Sequence, residues 1–349
     1  MSVPVSVVKG GNLDESVAKA LSLIDVESDL RMSYVPPVFF DKPAKYIEGM
    51  RLRKDSKILI KPNFVVVPVE SPYAYSKGAY ELTPAGCGKR GEGALTTPEV
   101  VRAVLKAFHD LGFENLVIGE AAGGCQTDLN FKHLGIYEIA KEFDVDVVDL
   151  NWEDSVKIRV EKRVILDYVW VPRSVLEADL LVSVPAMKAF SLSLKNIGIG
   201  TLPGKYYGWN RAGSYVQALD KPIHDQQQFL RMGSENDQSI GLAGEIVDVC
   251  TVNRSGLTVI DGTFVMNGDG NVHRADLIIA GYDPVATDAV AYAVMGFDPR
   301  KFIHMRMAEE RGLGTVDLSR IEVRGEPIEA VRMKLVPPKT SAGGRMQVI

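Results

Sequence analysis

Short β-branched runs recur along this chain, and nearly every one stops at a polar or glycine-rich turn before a segment of helical period. Val3–Val8 leads through Gly10-Gly11-Asn12 into an amphipathic stretch from Leu13 to Ile24. Lys57–Ile60 runs into Lys61-Pro62-Asn63, and Leu116–Ile118 runs into Glu120 and a glycine turn. Later strands are expected at 145–150, 158–165, 180–184, 257–260, 277–280 and 321–323. Strands that alternate with helices need crossovers, and crossovers favour parallel pairing. The sequence therefore predicts an α/β fold: a mainly parallel sheet with helices on both faces, arranged as two lobes around a central cleft. The expected division is 1–205 for the first lobe and 206–336 for the second, with 337–349 as a loose tail.

The helix signals are local and physical. Thr96-Thr97-Pro98-Glu99 offers a threonine cap, a proline in the first turn and an early acidic residue. Val101, Val104, Leu105, Phe108 and Leu111 then form a 3.6-residue apolar stripe. Further helices are expected at 136–143, 242–252, 284–295 and 302–311. Segments 65–95 and 204–239 lack periodicity and read as long functional loops.

Composition excludes several roles. A net charge of −5 over 349 residues argues against general affinity for nucleic acid or acidic membranes. The longest apolar runs are strand-length, so no membrane partner is expected. The start, MSVPVSVVKGG, lacks the pattern of a secretion signal. Three widely spaced cysteines, Cys87, Cys125 and Cys250, fit a reducing, cytoplasmic setting. A homo-oligomer is compatible with all of this.

Ligands of α/β sheets sit beyond the carboxyl ends of the strands. The polar residues that follow the strand candidates are Lys61 and Asn63, Glu120, Lys188, Asp261, and Asp283. If these strands share one sheet edge, the groups converge. Each also has a plain structural reading. Asp261-Gly262 is a common turn pair, and Asp283-Pro284 is a helix cap followed by proline. Asp288, one turn into that helix, either lines the same cleft or faces water.

The stretch LSLKNIGIGTLPGK, residues 192–205, places lysines and an asparagine in apolar, glycine-rich sequence. Lys188 and Lys195 are seven apart, a spacing that shares one face of a helix. The glycines beyond would let a ligand approach the backbone. Asn196 would orient that ligand. Of the histidines, His224 lies beside Asp225 in the second long loop and is the candidate for proton transfer. His109, His133 and His304 read as structural. No CxxC, HxH or HExxH spacing occurs, so a dedicated zinc site is not expected.

Several of these segments resemble a known family. IKPNFV, TTPEVVRAVLKAFHDLGFENLVIGEAAGG, EADLLVSVPAMKAFSLSLKNIGIGTLPGK, LTVIDG and AGYDPVATDAVAYAVMGFDP occur in order. Together they resemble the family called domain of unknown function 362, in its versions without an attached iron–sulfur module. A fainter similarity is to the N-terminal domain of lactate racemases, which use histidines and a lysine around a nickel-bearing cofactor. That resemblance implies the fold and the cleft, and puts Lys195 near the cofactor-attaching lysine. It does not extend to the reaction: Gly123-Gly124-Cys125 and Phe190 stand where the racemases offer histidines.

Three functions follow as expectations. The first is an enzyme, isomerase- or oxidoreductase-like, acting on a small anionic molecule, a carboxylate or phosphate. Lys61, Asn63, Lys188 and Asn196 would bind it. Lys195, Glu120, Asp261 and His224 would carry the chemistry, and Asp283 and Asp288 could hold a divalent metal. The second is a redox protein in which Cys87, Cys125 and Cys250 hold an iron–sulfur cluster or dock an iron–sulfur partner. The third is a binding module that sequesters a metabolite without turnover.

Overall fold

The structure is a computed structural model that describes residues 2–26, 32–34, 46–48, 52–65, 91–123, 126–189, 192–207 and 235–336. The chain enters as β1 (Val3–Lys9) and turns at Gly10 and Gly11, both at positive φ. It continues as α1 (Leu13–Leu23), which is capped by the Asn12 side chain accepting from the Asp14 amide. Strand β2 (Ile58–Pro62) is followed by α2 (Pro98–Asp110), then β3 (Leu116–Glu120) and the short α3 (Thr127–His133). Next come α4 (Ile136–Phe143) and β4 (Asp146–Asp149).

Strands β5 (Ser155–Arg159) and β6 (Tyr168–Pro172) pair only with each other, as an antiparallel hairpin beside the main sheet. The sequence predicts one strand at 158–165. Residues 158 and 159 end β5, and the chain then turns, because Asp248 from a later helix accepts from the amides of Val164, Ile165 and Leu166 and pins the turn.

After α5 (Arg173–Glu177) come β7 (Leu180–Val184), the three-residue β8 (Ala186–Lys188), α6 (Ser193–Gly198) and α7 (Gly204–Tyr207). Helix α8 (Glu235–Val252) leads to β9 (Leu257–Met266) and β10 (Val272–Gly281). The chain then forms α9 (Pro284–Val294), α10 (Ile303–Glu310), β11 (Ile321–Gly325) and α11 (Ile328–Val331).

The nine-stranded sheet has the order β11-β1-β10-β9-β7-β2-β3-β4, with β8 also paired to β9. Strands β9, β7, β2, β3 and β4 are parallel neighbours. Strand β10 runs antiparallel to both β9 and β1. The mainly parallel sheet with helices on both faces is thus present. The expected boundary at residue 205 does not coincide with a break in it: β1 lies between β10 and β11, and β7 pairs with β9.

Side chains alternate across the strands, as the two-residue period demands. Ile58 and Ile60 join the apolar layer of α1, α2 and α4, whereas Leu59 joins the layer containing α6, α8, α9 and α10. Burial on both faces explains why β2, β3 and β7 read as continuous apolar runs.

Helix α6 is held by tertiary contacts. Leu192 gives it no side-chain cap. Asp288 on α9 supplies one, accepting from the amides of Ser193 and Leu194 at 2.9 and 3.0 Å. Gly198 lies so close to α8 that a Cβ there would stand 2.8 Å from the Ile246 Cα. Gly198→Ala is expected to force α6 and α8 apart and to destabilise by about 1–3 kcal/mol. Urea denaturation measures this, and an unchanged midpoint would contradict the close approach.

Candidate functional site

Lys61 is the next-to-last residue of β2 and is completely buried. Its ammonium donates to Glu120 Oε1 at 2.6 Å, to the Pro62 carbonyl at 2.6 Å and to Asn196 Oδ1 at 3.1 Å. Three protons thus meet three acceptors, which is the full donor capacity of a lysine. Glu120 ends the neighbouring strand β3. Its oxygens also accept from the amides of Phe64 and Ala121, at 2.6 and 2.7 Å.

Asn196, on α6, is tied at both ends of its amide. Oδ1 accepts from Lys61 and from Asn63 Nδ2, while Nδ2 donates to the Lys61 carbonyl and to Ser183 Oγ on β7. Asn63 passes the network on, because its Oδ1 accepts from Lys188 Nζ at 2.5 Å. Lys188 also donates to the Ala94 carbonyl. Lys61, Asn63, Glu120, Lys188 and Asn196, separated by up to 135 residues, form one buried hydrogen-bonded cluster at the carboxyl end of parallel strands.

Asp261 lies alongside on the other face. It shares the parity of Leu257 and Val259, which pack in the α1–α2 layer. Its Oδ2 accepts from the Thr97 amide at 2.6 Å, just before α2, and its Oδ1 from the Thr263 amide. Asp261 and Gly262 are therefore interior strand residues and not a turn. Thr96 bridges the two faces: its hydroxyl donates to the Val184 carbonyl and accepts from the Asn63 amide. Burial pushes the Asp261 carboxyl up from its usual range, opposed by its hydrogen bonds to Thr97 and Thr263.

Other candidates lie elsewhere. Lys188 is on a strand, so it does not share a helix face with Lys195. Lys195 is half-buried on α6. Burial, reinforced by the positive charge of Lys195, drives the His304 imidazole down to about 3.

Asp283 caps α9 and accepts from the Val285, Ala286 and Thr315 amides. Burial raises it to about 6, and raises Asp288 to about 8. Both carboxylates serve the backbone. Among the described residues no group of three or more His, Cys, Asp or Glu could hold a metal ion. Cys250 is buried, its thiol pushed up by burial and donating to the Leu194 carbonyl. Cys87, Cys125 and His224 lie outside the described residues.

Two glycines of the 192–205 stretch pack closely against the protein itself. Gly198 admits α8. At Gly200 a Cβ would stand 3.0 Å from the Lys61 ammonium nitrogen. Thr96, Ser183 and Asn151 are buried connectors that sequence reading missed. Asn151 joins the amide of Gly204 on α7 to the Ala122 carbonyl after β3. Small polar side chains carry no pattern that separates a connector from a turn or a cap. The one available signal was position, since Thr96 and Ser183 stand at element ends.

The sequence matches the family described as "Domain of unknown function (DUF362)" over residues 84–293. The chain belongs to this family. The DUF362 match spans β3, β7, β8, α6 and β9, and so Glu120, Lys188, Asn196 and Asp261. No curated protein matches the sequence. Among solved structures the chain is similar to the lactate racemase apoprotein from Thermoanaerobacterium thermosaccharolyticum, at 15% identity and a TM-score of 0.32. The alignment covers 72% of this chain and 59% of that one, and lends no residue-level correspondence. Among the described residues no helix of this DUF362 member is long and apolar enough to cross a membrane.

The buried carboxyls make stability depend on pH. An aspartate raised in the folded state keeps a proton that the unfolded chain releases, so rising pH favours unfolding. For Asp288 the window runs from the ordinary aspartate value, about 4, up to about 8. Asp288→Asn is expected to gain stability relative to the parent as pH climbs through that window. Denaturant titrations at several pH values measure the difference, and a constant difference would rule out the buried titration.

Proposed function

We propose that the chain is an enzyme that binds a small anionic substrate, a carboxylate or a phosphate, at the carboxyl edge of its parallel sheet. The observation that carries this reading is the joining of Lys61, Asn63, Glu120, Lys188 and Asn196 into one buried network there. Polar groups are costly to bury, and ordered networks of them are a mark of built sites.

Within the network the roles divide by chemistry. Lys188, whose ammonium donates to the Asn63 side chain and the Ala94 carbonyl at the strand ends, is assigned to the anion, with half-buried Lys195 as a second cation. A charge-assisted hydrogen bond from an ammonium suits both carboxylate and phosphate oxygens. Asp261 is assigned to proton transfer. Its burial keeps the acid form accessible at higher pH than an exposed aspartate, which suits a group that must both take and return a proton. Glu120 fits a counter-ion better than a base, because the Lys61 ammonium and two amides already occupy its oxygens.

Calorimetry with inorganic phosphate and a panel of mono- and dicarboxylates tests the reading. Lys188→Met is expected to weaken the best binder by about ten- to a hundredfold, the usual worth of a hydrogen bond to a charged group. Unchanged affinity in a variant that still melts cooperatively would reject the assignment. Asp261→Asn is expected to bind the same anion and to lose turnover. Binding with no turnover in the parent itself would reduce the chain to a metabolite-binding module.

A further inference from the structure

The hydrogen bonds of the cluster run in one order. Lys61 Nζ donates to Asn196 Oδ1 at 3.1 Å, Asn63 Nδ2 donates to the same oxygen at 3.4 Å, and Lys188 Nζ donates to Asn63 Oδ1 at 2.5 Å. An amide side chain can be flipped, and a flip exchanges its donor and acceptor ends. Lys61 fixes the sense of this chain. With an ammonium on one side, Asn196 must present its oxygen. Asn63 must then turn its nitrogen to that oxygen, which leaves the Asn63 oxygen facing Lys188. The second end of the Asn196 amide agrees, since Nδ2 donates to the Lys61 carbonyl and to Ser183 Oγ.

The remaining protons of Lys61 go to Glu120 and to the Pro62 carbonyl. Gly200 closes over the ammonium, leaving no room for even a Cβ without contact at 3.0 Å. A ligand would have to displace Glu120 or Asn196 to reach it.

We propose that Lys61 is a positioning residue which acts through Asn196 and then Asn63 to hold the ammonium group of Lys188 in place. This deepens the anion-binding reading and shares its premise that Lys188 meets the ligand. The Lys61–Glu120 pair is then the frame of the site, and the reacting molecule never touches it. The charged groups on the described segments around Lys188 include Lys61 on β2, Glu92 two residues before the Ala94 carbonyl that accepts from Lys188, Glu120 on β3 and Asp261 on β9.

The test needs no ligand. Lysine labelled at the ε-carbon gives an NMR titration of the Lys188 side chain, with its signal assigned by Lys188→Arg. Lys61→Met alone would strand the Glu120 charge, so the variant used is Lys61→Met/Glu120→Gln, which removes one charge of each sign. Asn196→Ala breaks the same chain at its second link and leaves every charge present. Each variant is expected to lower the Lys188 titration midpoint, because its acceptor Asn63 is no longer held. Combining the two is expected to lower it no further than the larger single effect.

An unmoved midpoint in Asn196→Ala, or fully additive shifts, would overturn the proposal. Should the double variant fail to fold, Asn196→Ala and Asn63→Ala decide by the same midpoint. A wild-type protein that binds neither phosphate nor carboxylates would sink the anion-binding reading and leave the outcome of this titration standing.

Discussion

A fully buried ion pair organises this protein. Lys61 and Glu120 meet at 2.6 Å with almost no solvent exposure, at the ends of adjacent parallel strands. Such a pair is a poor source of net stability, because the loss of hydration rivals the attraction. Its effect is to dictate geometry. Lys61 has all three protons placed and Glu120 accepts two amides besides, and the groups that meet them come from the end of β2, from the residues just after β2 and β3, and from α6. An ammonium in the core demands three oxygens in set directions, and the chain has to bring them there. The position of α6 follows, and so does the glycine at 200.

Helix α6 shows how a short element is fixed when its own sequence cannot do so. Six residues without a local cap are far below the length at which an isolated helix persists. Asp288 satisfies its first amides, Asn196 fastens it to the sheet, and Gly198 lets α8 come into backbone contact. The three anchors pull in different directions, so the helix has little freedom to slide. Its residues Lys195 and Asn196 consequently face different neighbours: the surroundings of His304 on one side and the strand ends on the other.

Much of the fold was legible because it depends on repeating patterns. The apolar runs of β2, β3 and β7, and the stripe of α2, announce themselves through period and punctuation. The gathering of Lys61, Asn63, Glu120 and Lys188 was also legible, because each stands at or after the end of an expected strand, whereas Asp283, expected with them, caps α9 instead. What stayed hidden depends on single tertiary contacts. The turn at 160–167 is held by a carboxylate some eighty residues away. Lys188 read as helical from its spacing to Lys195, but its strand is set by pairing with β9. Asp261-Gly262 has the composition of a turn, yet Asp261 pairs with β8 on one side and both residues pair with β10 on the other. The lysines and carboxylates were located by sequence, whereas the hydrogen bonds that join them required the three-dimensional structure.

The placement of β1 bears on how the molecule is made. Val5 pairs with Gly281 on one side and with Val323 on the other, so the first strand finds both neighbours in the last quarter of the chain. During synthesis it lacks both of these neighbours until β10 and β11 have left the ribosome. Contacts of such long sequence separation slow folding. The parallel centre, β2 with β3 and β7, is complete much sooner, and is the part able to form while β1 waits. Closure of the sheet at that end therefore waits for β10 and β11, and a chain truncated before β10 would carry β1 without either of these neighbours.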